Sequence, residues 1–463
     1  MNCRAGFSIS SHDFRSAVIL KSDDLSLLQK LISLYKGPMA SRNTQWRLKA
    51  GADRRFRAGH PWIYSNELGD SPKGIEPGAP VELRDASGKF LARGYGNPHS
   101  LIAFRVLSRL PSDEEPLSPE FLLQKLKAAA HYRDLLRLRE SSHRLCFGEA
   151  DGLSGLIIDC YKLKEGQVFV VQAHTAGMDR LLTYLPEVLE RFLRDTQSKI
   201  TWEQTALIIR NDVQVRKLEG LTVDSPTVIK KLGGVNFSHL QVQIAGAQGG
   251  EIPFATDLIE GQKTGFFLDQ AANTRLAIQY ADKLASKNPK ILDLCSYVGQ
   301  WSTQLAAAFR TKGSTAEVTA VDASAQALSF AAENIEAQGG RCEALKKDVL
   351  KDLAEMPERL FDIVICDPPA LIKGRKDIPA GTHAYLQVNT QATRLLKKDG
   401  MLIACSCSAL LEEESFLATL NKAAHRSATS MRWIARGGQA PDHPILTEFP
   451  EGRYLKAWLG IHT

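Results

Sequence analysis

Between Lys290 and Asp322 the chain carries a pattern that leaves few folds open. Lys290-Ile-Leu-Asp-Leu294 is a short buried-strand pattern, Cys295-Ser-Tyr-Val-Gly299 a tight loop, and Gln300-Trp-Ser-Thr-Gln-Leu-Ala-Ala-Ala308 has the composition of a helix start. Glu317-Val-Thr-Ala-Val-Asp322 then reads as a second strand ending in a carboxylate. That is where a βαβ nucleotide site places an acid on ribose hydroxyls, so an adenosine-type cofactor fits the crevice.

The glycines separate two such cofactors. A dinucleotide site wants three of them so that a pyrophosphate can rest on the helix N-terminus, and only Gly299 remains of such a set. One glycine, with Asp293 at the end of the first strand, suits S-adenosylmethionine, whose sulfonium and ammonium are cations. An ordinary βαβ turn would look the same locally, and the sequence downstream decides against it. Ala344-Leu-Lys-Lys-Asp348 ends a third strand in an acid, and Phe361-Asp-Ile-Val-Ile-Cys-Asp-Pro-Pro369 ends a fourth. Successive strand-end acids mark the carboxyl edge of a doubly wound sheet. Asp322 is expected on the ribose hydroxyls, Asp348 on the adenine amino group, and Asp367 facing the substrate. Two prolines after Asp367 fix two φ angles and remove two amide donors, which makes a rigid turn.

Gly400-Met-Leu-Ile-Ala-Cys-Ser-Cys-Ser-Ala409 supplies thiols to the next strand. Cytosine C5 is a poor nucleophile, but thiolate addition to C6 turns C5 into an enamine carbon that can attack an activated methyl group. In a regular strand Cys405 and Cys407 share a face, with Cys407 nearer the carboxyl edge where substrate binds. Two buried core thiols would read the same in isolation; the neighbouring Asp-Pro-Pro turn favours chemistry. Asp367, protonated or sharing a proton with cytosine N3, would stabilise the charge formed on addition. The base that removes the C5 proton is not identifiable. Amino-group methyltransferases place a stacking aromatic after the prolines; here Ala370 stands there, which disfavours adenine or guanine amino methylation.

A chain of 463 residues exceeds one core, so two or three domains are expected. With 44% hydrophobic and 24% charged residues it is an ordinary globular protein, and a net charge of +6 is compatible with nucleic acid without requiring it. Eight cysteines without a CxxC pair argue against a disulfide scaffold or a zinc site. No apolar run approaches the roughly 20 residues of a membrane span, so a cytoplasmic enzyme is expected.

Residues 1–43 read as a peripheral extension. Asp13, Asp23 and Asp24 spoil a transit peptide, while Leu25, Leu28, Leu31, Ile32 and Tyr35 suit one short amphipathic helix, and Met39 is a candidate biological start. From Trp46 to Arg109, short alternating runs divided by glycine and proline signal a small β barrel. In it Arg47, Lys49, Arg54, Arg55 and Arg57 surround Phe56, Trp62 and Tyr64, which suits either phosphates and unstacked bases or a solvated basic loop beside core aromatics. Ser118 to Glu140 is a helical pattern whose basic end, with Arg133, Arg137, Arg139 and Arg144, either extends an RNA face or, more commonly, laces a helix surface with charge. Met178 to Leu193 reads as one amphipathic helix. Asp151 and Asp159 are acid–base candidates or, far more commonly, turn and strand-end carboxylates.

Several stretches resemble known modules. Gly59-His-Pro-Trp-Ile-Tyr-Ser65 and Gly88-Lys-Phe-Leu-Ala-Arg-Gly-Tyr-Gly-Asn-Pro-His-Ser100 resemble the PUA domain, an RNA-binding pseudobarrel found ahead of class I methyltransferases. Gly148-Glu-Ala-Asp-Gly152 resembles the connecting domain of such proteins, and Gly261-Gln-Lys-Thr-Gly-Phe-Phe-Leu-Asp-Gln270 their pre-core motif. With the Asp-Pro-Pro turn, Ser-Cys-Ser408, Asp442-His-Pro444 and Pro450-Glu-Gly-Arg-Tyr-Leu-Lys456, nearly everything after residue 44 resembles the bacterial large-subunit ribosomal RNA cytosine-C5 methyltransferases.

The resemblance implies an α/β protein: an extension at 1–43, a PUA domain at 44–112, an α+β connecting domain at 113–250, and a doubly wound class I methyltransferase domain at 251–463. It implies Cys407 as nucleophile with Asp367 beside it. S-adenosylmethionine would be held by Asp293, Cys295, Ser296, Gly299, Asp322, Asp348 and Asp367, with Phe267 and Asp269 over its methionine end. RNA, expected to be 23S ribosomal RNA, would meet Arg47, Lys49, Arg54, Arg55, Arg57 and Trp62; a homodimer is left open. Rival readings are a guanine-nitrogen methyltransferase without a covalent step and a non-catalytic RNA-binding assembly factor. Departures from the family pattern are Gln300 and Trp301 in the cofactor loop, and Ala271 and Thr274 where arginines usually follow Asp-Gln. A second, product-releasing cysteine is absent after the Asp-Pro turn, as in the named branch. Asp442 and His443 line the RNA cleft or cap a turn, and Tyr454 to Leu459 reads as the last, antiparallel strand.

Overall fold

The computed structural model describes residues 44–113, 115–281, 283 and 287–463. The helix expected around Leu25 to Tyr35 and the candidate start at Met39 lie outside them. Three sheets follow one another along the chain.

The first has the order β1–β3–β4–β5–β2, built from β1 (Thr44–Arg47), β2 (Trp62–Ile63), β3 (Ala79–Arg84), β4 (Phe90–Gly96) and β5 (Phe104–Ser108). Its core is Trp46, Leu48, Phe56, Ile63, Leu83 and Phe104. Of the two readings open for Phe56, a base-stacking aromatic or a core one, the structure shows the second: it is a core residue, with the Arg109 guanidinium 4.0 Å over its ring.

Helix α1 (Pro119–Leu135) leads into the middle sheet. Ser118 caps it by accepting the Phe121 amide, and Pro119 occupies the first turn, where no amide is needed. The sheet runs β10–β9–β8–β7–β11–β12, with β6 (His143–Phe147) pairing with β7 (Leu156–Leu163). The other strands are β8 (Gly166–Ala173), β9 (Thr205–Ile209), β10 (Thr227–Lys230), β11 (Leu240–Ala245) and β12 (Glu251–Thr256). The single helix expected from Met178 to Leu193 is two, α2 (Ala176–Leu181) and α3 (Leu185–Asp195), joined by a tighter turn. Pro186 has no amide, and its ring excludes the carbonyl four residues back, so one continuous helix cannot pass through it.

The expected break between 250 and 251 falls inside the β11–β12 hairpin, whose six paired positions run from Leu240↔Thr256 to Ala245↔Glu251. The middle sheet therefore extends to Thr256. On the far side of β12 the Asn334 side chain accepts the Ala255 amide at 2.7 Å and donates to the Ala255 carbonyl at 3.0 Å, which satisfies an otherwise open edge.

The third sheet runs β15–β14–β13–β16–β17–β19–β18. Its strands are β13 (Lys290–Leu294), β14 (Glu317–Asp322), β15 (Arg341–Lys346), β16 (Phe361–Cys366), β17 (Leu396–Ser406), β18 (Met431–Gly438) and β19 (Lys456–His462). The first five are parallel, and β13 and β16 are almost wholly buried and apolar, as strands covered on both faces must be. The antiparallel strand expected at Tyr454 to Leu459 is β19; it lies inside the edge strand β18. Between these strands run α4 (Ala271–Ala281), α5 (Gln300–Arg310), α6 (Ala325–Ala337), α7 (Ile378–Leu395) and α8 (Glu413–Arg426). Among the described residues no helix is long and apolar enough to cross a membrane.

A buried polar seam joins the middle sheet to the third. Arg144 forms a two-bond ion pair with Asp159 at 2.7 and 2.8 Å, and Asp159 also accepts the Thr264 hydroxyl at 2.5 Å. Arg133 pairs with Asp151 and donates to the Asp442 carbonyl, while the Asp442 carboxylate takes the Arg144 amide and His443 Nδ1. Arg133 and Arg144 therefore form neither an RNA face nor a charged helix surface. Asp442 and His443 belong to this seam.

Candidate active site

The strand order reverses between β13 and β16, and the crevice at their carboxyl ends opens into a cavity of about 580 Å³. It gathers the pre-core turn, the loop after β13, the acid that ends β14 and the one beyond β15, the Asp-Pro-Pro turn and Cys407.

The loop after β13 is held in an unusual conformation. Cys295, Tyr297 and Gly299 all have positive φ, of 61°, 49° and 74°, and only for glycine is that free of strain. A Cβ on Gly299 would come within 3.1 Å of Ala331, so glycine also lets α5 approach α6. Tyr297 stabilises the strained turn twice. Its amide donates to Asp322 Oδ2 at 2.9 Å, and its hydroxyl donates to the Gly265 carbonyl at 3.1 Å while accepting the Gln262 amide. Asp322 Oδ1 takes the Ser324 amide at 2.8 Å, and each oxygen retains a lone pair for a ligand hydroxyl. Asp348, beyond β15, lines the cavity and accepts the Leu350 amide at 3.0 Å.

Asp293 sits beneath the cavity lining, not in it. It is fully buried, its Oδ2 accepts the Ser302 hydroxyl at 2.5 Å, and its Oδ1 has no partner. Burial pushes its carboxyl up to about 7, and the charges of Asp367 and Asp322 add to the rise. A ligand carrying an ammonium and a sulfonium relieves such crowding of carboxylates, and Ser296 Oγ, buried without a partner, offers a further contact. Cys295, Ser296, Phe267 and Asp269 all line the same cavity, whose residues fit S-adenosylmethionine.

The raised carboxyl has a consequence for stability. A buried acid whose folded value lies above its unfolded one binds more protons when folded, so its contribution is fullest below about pH 4 and is lost as pH rises to about 7. Asp293→Asn removes that titration. The stability difference between variant and wild type is expected to move in the variant's favour by on the order of a few kcal/mol from pH 4 to 8. Urea unfolding at several pH values without cofactor reads it; a pH-independent difference would contradict the assignment.

At the reacting end, Asp367 Oδ2 accepts Gln270 Nε2 at 2.7 Å and the Trp301 indole N–H at 3.1 Å, leaving Oδ1 for a ligand. Trp301, a departure from the family pattern, thus orients the carboxyl. Burial pushes Asp367 up to about 6, with Asp269 adding to the rise. Cys407 lies one residue beyond β17, its Sγ 3.9 Å from the Pro368 carbonyl. Cys405 is fully buried in the core on one side of the sheet and Cys366 on the other, so Cys407 alone of the three opens into the cavity. Burial pushes the Cys407 thiol up to about 11, and Asp367 adds to this.

The turn carrying Cys407 is braced. Ser408 Oγ accepts the Ile372 amide at 3.1 Å and shares a hydrogen bond with the Tyr385 hydroxyl at 2.9 Å. Lys456 Nζ donates to the Ser408 and Leu411 carbonyls, both at 2.8 Å, and burial pushes its ammonium down to about 8. Also in the cavity lining, Asp269 Oδ2 takes Lys263 Nζ at 2.8 Å and the Tyr454 hydroxyl at 2.5 Å. Burial would raise the Asp269 carboxyl, but Lys263, His443 and these hydrogen bonds outweigh it and hold it well below the usual range. Gln270, Lys263, Tyr385 and Lys456 were not singled out from sequence; Gln270 and Lys263 stand in the quoted pre-core motif, the one signal available for them.

The cations and the aromatic expected to meet RNA lie apart from this cavity, and most have partners within the protein. Arg47 pairs with Asp70 at 3.5 Å, Arg57 with Asp53, and Lys49 donates to the Asn66 carbonyl at 2.9 Å. Arg55 lies over the Tyr64 ring at 4.7 Å and donates to the Trp62 carbonyl at 3.0 Å; Arg54 is exposed. The Trp62 indole N–H donates to Glu149 at 2.8 Å, and its ring meets Phe449 at 4.7 Å and the Arg105 guanidinium at 5.2 Å.

Comparison with known proteins places these features. Residues 47–109 match a PUA-like domain family and residues 285–449 a methyltransferase domain family. The Ribosomal RNA large subunit methyltransferase I of Photobacterium profundum is 32% identical over 420 residues, covering 89% of this chain and 97% of the relative. That of Erwinia tasmaniensis is 31% identical over 418 residues, with 89% and 97% covered. A S-adenosylmethionine-dependent methyltransferase structure from Streptococcus mutans superposes with a TM-score of 0.69 at 16% identity, covering 90% of this chain and 100% of the other. A methyltransferase solved in complex with SAH gives the same score, identity and coverage. At that identity the likeness is one of fold.

Proposed function

The chain belongs to the ribosomal RNA large subunit methyltransferase I family, and from that premise we propose that it methylates C5 of a cytosine in 23S ribosomal RNA through a covalent bond to Cys407. Its cofactor, S-adenosylmethionine, supplies an activated methyl group. The observation that carries the reading is the opening of Cys407 into the same cavity as Asp322, Asp348 and Asp367.

In this reading Asp322 holds the ribose hydroxyls, Asp348 the adenine amino group, and Phe267 covers the methionine end. The target cytosine leaves its stack to enter the cavity. Cys407 Sγ adds to C6 as a thiolate while the C5–C6 π bond opens, and the charge displaced toward N3 is met by Asp367, whose raised carboxyl is partly protonated near neutral pH. C5 would then take the activated methyl group, and loss of its proton would re-form the double bond and release the Cys407 thiolate. Burial is the main cause that holds the proton on Cys407 and the Asp367 charge the next, and pairing Asp367 with N3 removes the second of these. Gln270 and Trp301 keep the Asp367 carboxyl oriented, and Lys456 and Ser408 keep the cysteine turn in place.

One observation favours a second reading. A thiol held at about 11 is protonated in the free protein, as expected if the methyl group goes to a guanine nitrogen without covalent attachment. The two are separated by incubating ribosomal RNA from cells lacking the protein with labelled S-adenosylmethionine, then digesting to nucleosides for mass spectrometry. Labelled 5-methylcytidine is the expected product. A labelled guanosine would make Cys407 a packing residue, and no label would leave an RNA-binding factor.

A further inference from the structure

The cations of the first sheet are largely taken up by internal partners, yet a reaction on RNA needs phosphate contacts close to the extruded base. The turn after Asp-Pro-Pro supplies candidates. Lys373, Arg375 and Lys376 are all exposed, and among the described residues none of their side chains has a hydrogen-bond or ion-pair partner. They follow Leu371, which lines the cavity, so an extended chain puts even Lys376 no more than about 18 Å from that lining.

The turn is also rigidly placed. Ile372 is buried, and its amide donates to Ser408 Oγ, beside Cys407. A Cβ on Gly381 would fall 2.4 Å from the Ile372 side chain and 2.6 Å from the Leu371 carbonyl, so α7 presses directly against the root of the turn. The Asp377 amide closes a short helical turn on the Gly374 carbonyl at 2.9 Å. The root of the turn that carries these side chains is therefore fixed relative to the turn that carries the thiol.

We infer that Lys373, Arg375 and Lys376 form a phosphate-binding hook for the RNA backbone beside the target nucleotide. The inference rests on the RNA methyltransferase reading and adds to it the surface that registers the strand. Arg375 and the lysines act through charge, without reading sequence. Lys347, which also lines the cavity, extends the same positive rim on the side of Asp348.

The test compares full-length wild type with the triple variant Lys373→Gln, Arg375→Gln, Lys376→Gln on ribosomal RNA from cells lacking the protein. If all three meet phosphates, KM for RNA is expected to rise roughly 10- to 50-fold at about 0.15 M salt, and the slope of log affinity against log salt to fall by roughly 2. Catalytic turnover at saturating RNA and calorimetric affinity for S-adenosylmethionine should stay at wild-type values. Lys398→Gln, an exposed position near the start of β17, serves as the control and should change nothing. The charge-retaining variant Lys373→Arg, Arg375→Lys should keep RNA binding. A triple variant with wild-type KM and salt slope overturns the hook, as does one whose turnover falls with KM unchanged. Wild-type protein that shows no salt-dependent binding to this RNA overturns the RNA methyltransferase reading itself.

Discussion

Cys407→Ala is expected to lower methyl transfer to RNA by at least about 10³-fold while leaving S-adenosylmethionine affinity within a few-fold of wild type. Without the sulfur, C5 of cytosine has no enamine character: Cys405 and Cys366 are wholly buried in the core, on opposite sides of the sheet, and Cys295, the other thiol lining the cavity, lies in the loop after β13, where burial pushes its thiol well up. In the proposed reading the cofactor lies along the ends of β13, β14 and β15 rather than on the turn that carries the thiol, so calorimetry should see little change. Cys405→Ala is the matched control and should affect only packing. RNA containing 5-fluorocytidine adds a direct test. Fluorine takes the place of the C5 proton and cannot leave as a cation after methyl transfer, so the cysteine is not expelled, and a covalent complex should accumulate with wild type and be absent with Cys407→Ala. Retained turnover in the alanine variant would overturn the covalent route.

Asp159→Ala is expected to destabilise the protein by about 3–5 kcal/mol, the largest effect on stability expected here. Its carboxylate is 0% exposed and receives both arms of the Arg144 guanidinium, itself 9% exposed. Removing it strands a buried cation with no water to solvate it. It also releases the Thr264 hydroxyl, and Thr264 adjoins Lys263 in the pre-core turn, so cofactor binding should weaken as well. Urea unfolding monitored by tryptophan fluorescence would read the loss as a shift in midpoint at constant slope. Replacing both partners, as Arg144→Met with Asp159→Leu, should recover most of the stability, since an apolar pair has no stranded charge. A loss below about 1 kcal/mol for the single variant would mean that solvent reaches the pair.

What the sequence could show follows from the range of the forces involved. The parallel sheet was legible because strands buried on both faces must be apolar throughout, and because its acids stand at strand ends, where the pattern breaks. The cavity-lining positions of Asp322, Asp348, Asp367 and Cys407 follow from the same logic. Asp293 is a partial exception: its strand-end position was evident, but not that its carboxyl turns under the loop to Ser302. Partners remote along the chain were hidden. Nothing near Arg144 announces Asp442, and nothing near Trp301 announces Asp367; a basic or aromatic residue looks the same whether its partner is RNA or a distant side chain. The strain at Cys295 and Tyr297 was equally invisible, since neither residue type signals positive φ.

The hairpin that carries the middle sheet past residue 250 limits how this chain can be cut or recombined. A catalytic fragment begun at Glu251 would present β12 as a lone strand, with the row of backbone groups that β11 now satisfies left bare, and such an edge invites pairing with other chains. Asn334 would still grip its other side, so the orphan strand would be fixed in place on the fragment's surface. A minimal enzyme that keeps β12 paired therefore has to start before Leu240, and such a cut still bares the side of β11 that now pairs with β7. Any exchange of catalytic modules between relatives would have to carry the hairpin with them, which makes β11 and β12 part of the heritable unit of catalysis even though they belong to the neighbouring sheet.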